Sequence, residues 1–311
     1  MDDPSKEAVW QERFGAILVR LVVPAWICVG AVFKVVGSTP KSLPRSVLDM
    51  GEAVGFSDHF LLLAVLVAVE FFFVGIMLFV GSLARLSAVF MLGLFCLILI
   101  IEMINGAESC GCLGQHSLPP QVMFGIDFAL LLGVVIFKPG SFAKSAIGPI
   151  LATVFTIATA GTTFGVVLAH RTTDSGLPAS WYPRDLATWD GRSVDNIDLF
   201  SWVKDWPHDL HSGPQYIIFY GRTCDHCEDL LYEFFSTGVP VPTTLVAIPE
   251  SKEGFSSADA FESPCYDCAE TQLPIGVDWI ISTPLVVAID DGIVRCAHEN
   301  ENYEDPTCLI W

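Results

Sequence analysis

Residues 214–235 read "PQYIIFYGRTCDHCEDLLYEFF", and this stretch decides the fold of the C-terminal half. Its first part is a run of apolar and aromatic residues, mostly β-branched or aromatic, which predicts a buried strand. From Cys227 onward the apolar residues recur at helical spacing, so a helix follows. Cys224 and Cys227 stand at the strand-to-helix junction, three apart. A helix N-terminus carries partial positive charge and free N–H groups, and both stabilise a thiolate. The spacing makes Cys224 the exposed nucleophile and Cys227, one turn inside, the resolving thiol. His226 between them can donate to the thiolate or add positive charge. Two blander readings stand beside thiol–disulfide exchange. One is a static disulfide. The other is half of a zinc site, because Cys265-Tyr-Asp-Cys268 supplies a second pair at the same spacing.

What precedes this stretch is unusual for a protein with such a motif. The 311-residue chain is 52% hydrophobic and only 16% charged, which points to membrane spans. Its net charge of −19 is uneven: residues 171–311 hold 24 acidic and 7 basic side chains, the rest 11 and 9. The chain therefore divides into a membrane half and an acidic, water-facing half. The acidity excludes nucleic acid as a partner and suits a domain kept soluble by its charge. Six of the ten cysteines fall in the acidic half, an even number that fits an oxidising compartment.

Five apolar stretches of roughly membrane-spanning length lie near 14–34, 59–81, 86–104, 121–137 and 146–169. The fourth is short, so the expectation is four to five spans. Residues 1–13 are charged and lead into the first span without a small-residue cleavage site, so that span is expected to act as the targeting signal. Five spans put Lys6, Arg13, Arg85, Lys138 and Lys144 on one face, the cytoplasmic one by the positive-inside rule; Lys41 and Arg45 dissent. The acidic half and the loop "NGAESCGCLGQHSLPP" (105–120) then share the other face. The expected location is the bacterial inner (cytoplasmic) membrane, multi-pass, with the acidic half periplasmic.

The expected division is a membrane domain over 1–169, a polar, Pro-containing tether over 170–188, and a folded domain over 189–311. Within the last, "WDGRSVDNIDLF" (189–200) reads as a D-G turn between short extended pieces. "TTLVAIP" (243–249) is a second buried strand. "TPLVVAIDDGIVRCA" (283–297) is a strand, a D-G turn and a returning strand.

With the strand–CxxC–helix order, Thr283-Pro284 and the terminal hairpin in place, residues 180–311 resemble the thioredoxin family, in particular its membrane-tethered TlpA-like branch. The resemblance implies an α/β thioredoxin-like domain. It also implies a cis Thr283–Pro284 bond facing Cys224 and Cys227, at an edge where a partner backbone docks. The departure is the second dithiol in "FESPCYDCAETQLP" (261–274), an insertion between the second and third strands. Cys265, Cys268, Cys296 and Cys308 allow three pairings. Two structural bridges are the plainer reading; a relay between Cys265/Cys268 and Cys224/Cys227 is the sharper one.

Cys110-Gly-Cys112 follows the third span. One intervening residue permits only a small, strained ring, and strained disulfides are more oxidising. The string "SCGCLG" resembles the "CGCFG" signature of the methylamine-utilisation MauE family, related to DoxX-like membrane proteins, with Leu113 where that family usually has Phe. Lys34 in "GAVFKVVG" and Glu70 inside the second span agree with it, and the likeness covers about residues 12–140. It implies disulfide chemistry beside a TlpA-like partner, here fused. A metal-binding or idle Cys-x-Cys is the alternative. A mid-span Glu70 must face the bundle interior with a partner, for which Lys34, Asp127 or a bound cofactor are candidates. Glu102 and Glu108 lie near the water boundary and call for no special role. Cys28 and Cys96 read as small apolar packing residues.

Together these readings predict a membrane-bound thiol–disulfide oxidoreductase. Cys224/Cys227 exchange disulfides with an extracytoplasmic protein substrate, and Cys110/Cys112 reset them. No cofactor or metal motif is visible. By analogy with other integral disulfide-forming enzymes, a quinone in the bilayer is the candidate acceptor. The rivals are an outward reductant conduit for metal- or haem-protein maturation, and a non-catalytic docking subunit of a membrane complex.

Overall fold

The computed structural model describes residues 4–105, 118–139, 146–171, 176–183, 185–256, 260–301 and 304–311. Cys110, Cys112 and Glu108 lie outside the described residues. The chain divides into two compact units, Met1–Thr172 and Thr173–Trp311.

The first unit is helical. It runs through α1 (Pro4–Ile17), a π-helical turn (Leu18–Val22), α2 (Val23–Gly37), α3 (Arg45–Ala53), α4 (His59–Phe79), α5 (Gly81–Ile104), α6 (Pro120–Ile136) and α7 (Gly148–Ala169). The π turn has a local cause. Pro24 has no N–H for the Arg20 carbonyl and its ring crowds that turn, so the helix widens there rather than breaking. Four helical stretches, Val9–Gly37, His59–Phe79, Gly81–Ile104 and Gly148–Ala169, are long and apolar enough to cross a membrane. They also leave Val29, Phe90, Leu97 and Ile157 exposed on their outer faces. A surface of that kind suits lipid rather than water.

The 17-residue α6 is shorter. It lies antiparallel along α5, with Met123 packed against Leu99 at one end. At the other, Arg85 Nε donates to the Val134 carbonyl at 3.1 Å. Glycine permits one close approach in this bundle: a Cβ at Gly15 would run into the Phe137 carbonyl.

Two readings of this half change. Between α2 and α4, α3 is a helix the apolar runs did not reveal, because it is short and amphipathic. Glu102, for which no special role was expected, has one: it is buried and accepts from Ser46 N at 2.9 Å and from Ser46 Oγ, capping the start of α3 from α5.

The second unit is α/β. Its main sheet has the order β4-β3-β2-β6-β7, with β2 (Pro214–Tyr220), β3 (Thr243–Ala247), β4 (Ala269–Gln272), β6 (Leu285–Asp290) and β7 (Ile293–Glu299). β3 runs parallel to β2 and β4, while β6 is antiparallel to β2 and β7. β2 sits at the centre, and its side chains alternate between two cores. Ile217 and Phe219 face one, with Val287, Trp279 and Phe200. Tyr216, Ile218 and Tyr220 face the other, under helix α9 (Asp225–Phe235). Leu230 and Leu231 of α9 are fully buried, each contributing roughly 1.5–3 kcal/mol. The β6–β7 turn is the expected one: Asp291 and Gly292 both have positive φ, the geometry of a two-residue hairpin.

The expected tether is mostly part of this unit. β1 (Ser180–Trp181) pairs with β5 (Asp278–Trp279), and Leu177, Trp181 and Leu186 pack on the core. The polar look of 176–188 concealed this, because Tyr182 and Pro183 are buried and Leu177, Trp181 and Leu186 only partly so. The stretch 189–200 is not extended either: it forms 3-10 turns at Leu186–Trp189 and Val194–Asn196, then the short helix α8 (Asp198–Ser201). The side chains of Asp185 and Ser193 accept from backbone N–H groups two residues on and start those turns.

Candidate functional site: a dithiol at a strand-to-helix junction

The central strand β2 delivers the chain to the site. After Tyr220, Gly221 and Arg222 turn it, and Cys224 becomes the N-cap of α9. Cys224 and Cys227 are joined in a disulfide with their Cα atoms 5.2 Å apart. Their environments differ. Cys227 is fully buried beneath α9, whereas Cys224 is partly exposed and His226 is exposed. Cys224 Sγ accepts the Cys227 backbone N–H at 3.2 Å. An attacking thiolate can therefore reach Cys224 and not Cys227.

The facing wall is the start of β6. Phe219 and Leu285 are register partners, which brings Thr283-Pro284 beside the turn at Gly221. The Thr283–Pro284 bond is cis, as the resemblance implied, and the Thr283 carbonyl lies 3.5 Å from Cys224 Sγ. In the disulfide the sulfur has no proton to give; in the dithiol it can donate to this carbonyl. Pro284 is buried and Thr283 partly exposed.

The insertion between β3 and β4 closes a third side. Phe261 N donates to the Arg222 carbonyl at 3.0 Å, and the Arg222 guanidinium lies 4.2 Å over the Phe255 ring. Burial pushes the Tyr220 phenol up and Glu270 adds to the rise, while Arg222 pulls it down; the group stays neutral at ordinary pH. The remaining pairings are Cys265–Cys268 and Cys296–Cys308. All three bridges share the α9 side of the sheet. β4 starts directly after Cys268; its alternating "AETQ" at a sheet edge is too short and polar to be read as a strand from sequence.

Two electrostatic effects compete at Cys224 once it is reduced. Asp225 and Glu228 in the first turn of α9 suit the helix dipole but repel a thiolate. The N–H of Cys227 and the dipole favour it. The N–H is aimed at the sulfur itself, whereas Asp225 is exposed and screened by water. The favourable side should win. Cys224 of the reduced protein is expected to alkylate with iodoacetamide at lower pH than an ordinary thiol, and Cys227 is not. Equal, alkaline profiles for the two would remove the assignment of Cys224 as nucleophile.

In the helical unit the residues singled out from sequence also meet. Lys34 Nζ donates to Glu70 Oε1, and both side chains are buried. Asp127 is not their partner in this pair: its Oδ1 accepts from Trp26 Nε1 at 2.7 Å. Cys28 and Cys96 are unbridged, Cys96 buried and Cys28 partly so.

No family model matches the sequence, and neither curated proteins nor solved structures provide a match.

Proposed function

We propose that this chain is a membrane-bound thiol–disulfide oxidoreductase whose second unit is a thioredoxin-like domain and whose first is a MauE/DoxX-like membrane domain. The observation that carries the reading is the asymmetry of the Cys224–Cys227 bridge: one sulfur reachable, the other sealed, with a backbone carbonyl 3.5 Å from the reachable one.

The reaction follows from that asymmetry. A substrate thiolate attacks Cys224 Sγ, breaks the Cys224–Cys227 bond and releases Cys227 as thiolate. A second substrate thiolate then attacks its own neighbour in the mixed disulfide. The substrate leaves as a disulfide, and Cys224 and Cys227 remain as a dithiol, two electrons richer. The edge at Thr283 is where an extended substrate backbone would dock, beside the sulfur it must reach. A disulfide between Cys110 and Cys112 reoxidises the pair by the same two attacks.

Topology supports the pairing of the two dithiols. α6 lies alongside α5 from Met123 to Val134, which fits a fifth crossing. Two crossings, α6 and α7, then separate the Cys110/Cys112 loop from the second unit, so both face the same compartment. By the positive-inside rule that compartment is outside the cytoplasm.

The test is exchange with a dithiol peptide. One peptide disulfide should form per protein in a single turnover, and Cys224→Ser should abolish it, while a substitution at the distant Tyr232 should not. Unchanged exchange in Cys224→Ser would overturn the reading.

A further inference from the structure

The chain that faces Cys224 is tied down mostly through its backbone, but one of its ties is a side chain. Upstream, Ile280 N–H donates to the Trp181 carbonyl at 2.8 Å. Downstream, Leu285 opens β6 and pairs with Phe219 on one side and Glu299 on the other. The residues between, 281–284, belong to no strand or helix. Pro284 brings no N–H with which to anchor them. Ser282 does: its N–H donates to Glu299 Oε1 at 2.8 Å.

Glu299 is the last residue of β7. Its register with Leu285 sets its backbone opposite the start of β6, so its side chain has only to reach back past Pro284 to Ser282. It is partly exposed, which spares the carboxylate the cost of full desolvation. A charged acceptor also makes this bond stronger than one to a carbonyl. Thr283 is the next residue along, and its carbonyl lies 3.5 Å from Cys224 Sγ. The chain is therefore fixed on both sides of Thr283: by the sheet at Leu285, and by a carboxylate at Ser282.

We infer that Glu299 is a positioning residue for the exchange reaction: its carboxylate holds the 281–284 segment in the form to which a substrate backbone docks. The inference rests on the proposed exchange at Cys224–Cys227 and names the group that prepares that site for a protein substrate. Without the bond, the segment gains conformations that do not present the edge. A protein whose competent form is only a fraction of the population binds with its affinity reduced by that fraction. A small dithiol needs no edge, only access to the Cys224 sulfur, so its reaction is indifferent to Glu299. Action of the Glu299 charge on the Cys224 thiolate would instead alter both reactions alike.

The experiment is single-turnover oxidation of a dithiol peptide by the full chain in nanodiscs, followed against peptide concentration, with reduction of the same samples by dithiothreitol alongside. Glu299→Ala should raise the half-saturating peptide concentration by about tenfold, the equivalent of one hydrogen bond to a charged group. The limiting rate and the rate with dithiothreitol should stay within about twofold of wild type, as for a loss of binding alone. Glu299→Gln keeps an oxygen at the same reach and should restore most of the peptide affinity. Glu299→Asp keeps the charge but falls one methylene short, so it should resemble Glu299→Ala, and it carries the test if the alanine chain folds poorly. An unchanged peptide dependence in Glu299→Asp, an equal loss with dithiothreitol, or a Glu299→Gln chain as weak as Glu299→Asp would each overturn the role. Failure of the wild type to oxidise the peptide at all would instead overturn the proposed function.

Discussion

Treated with the thiol oxidant diamide, a chain carrying Cys227→Ser and Cys110→Ala should link Cys224 to Cys112, recovered as a cross-linked peptide after proteolysis without reductant. The companion, Cys227→Ser with Cys112→Ala, should link Cys224 to Cys110. The reasoning is kinetic. Exchange passes through a mixed disulfide, and the thiol that resolves it from the second unit is Cys227, which is fully buried one turn inside α9. Without it the linkage persists. The same relay sets turnover. In wild type in a membrane that supplies a terminal electron acceptor, dithiol peptide should be oxidised repeatedly, because the loop pair restores the bridge and passes the electrons on. With both Cys110→Ala and Cys112→Ala, oxidation should stop after one equivalent. Equal catalytic turnover in that double variant, in the same membrane and with no other oxidant, would show that the helical unit is only an anchor.

The second large effect concerns the buried ion pair. Glu70→Ala takes from the buried Lys34 the carboxylate its Nζ donates to, and removing one partner of a buried pair costs about 3–5 kcal/mol. Lys34→Met with Glu70→Leu removes both charges at similar volume and should recover most of that loss. Thermal unfolding in detergent, followed by helical circular dichroism, measures both. If the double variant were as unstable as Glu70→Ala, the pair would matter through shape rather than charge, and the two positions would not be coupled as their contact implies.

Much of this was legible in the residues. Long apolar runs announce α2, α4, α5 and α7 because a bilayer demands length and apolarity alone. The strand "YIIFY" and the helix after Cys227 are local patterns, and so is the Asp291-Gly292 turn. What escaped depends on partners distant in sequence. β1 and β5 are two residues each and become strands only through one another. α3 is held at its start by Glu102, fifty-six residues on. Glu70 stands out for its cost in an apolar span and Lys34 is among its candidate partners, which is why that pairing was foreseeable while the bond from Trp26 to Asp127 was not. The pairing of Cys265 with Cys268 and Cys296 with Cys308 likewise needed the sheet, since spacing leaves three arrangements open.

The join between α4 and α5 bears on how the chain enters its membrane. Only Val80 separates the two helices. So short a connection offers no loop to be carried across on its own, and the pair must enter the bilayer as one helical hairpin. Insertion of Glu70 is thereby shared with the apolar surface of two spans instead of one. Lys34 is made first, on α2, so its partner arrives while the chain is still emerging. A ribosome-bound chain ending just after α2 would hold Lys34 alone near the end of its span, free to reach toward the head groups. The ion pair would then close only when the hairpin arrives, making it a checkpoint in the order of assembly.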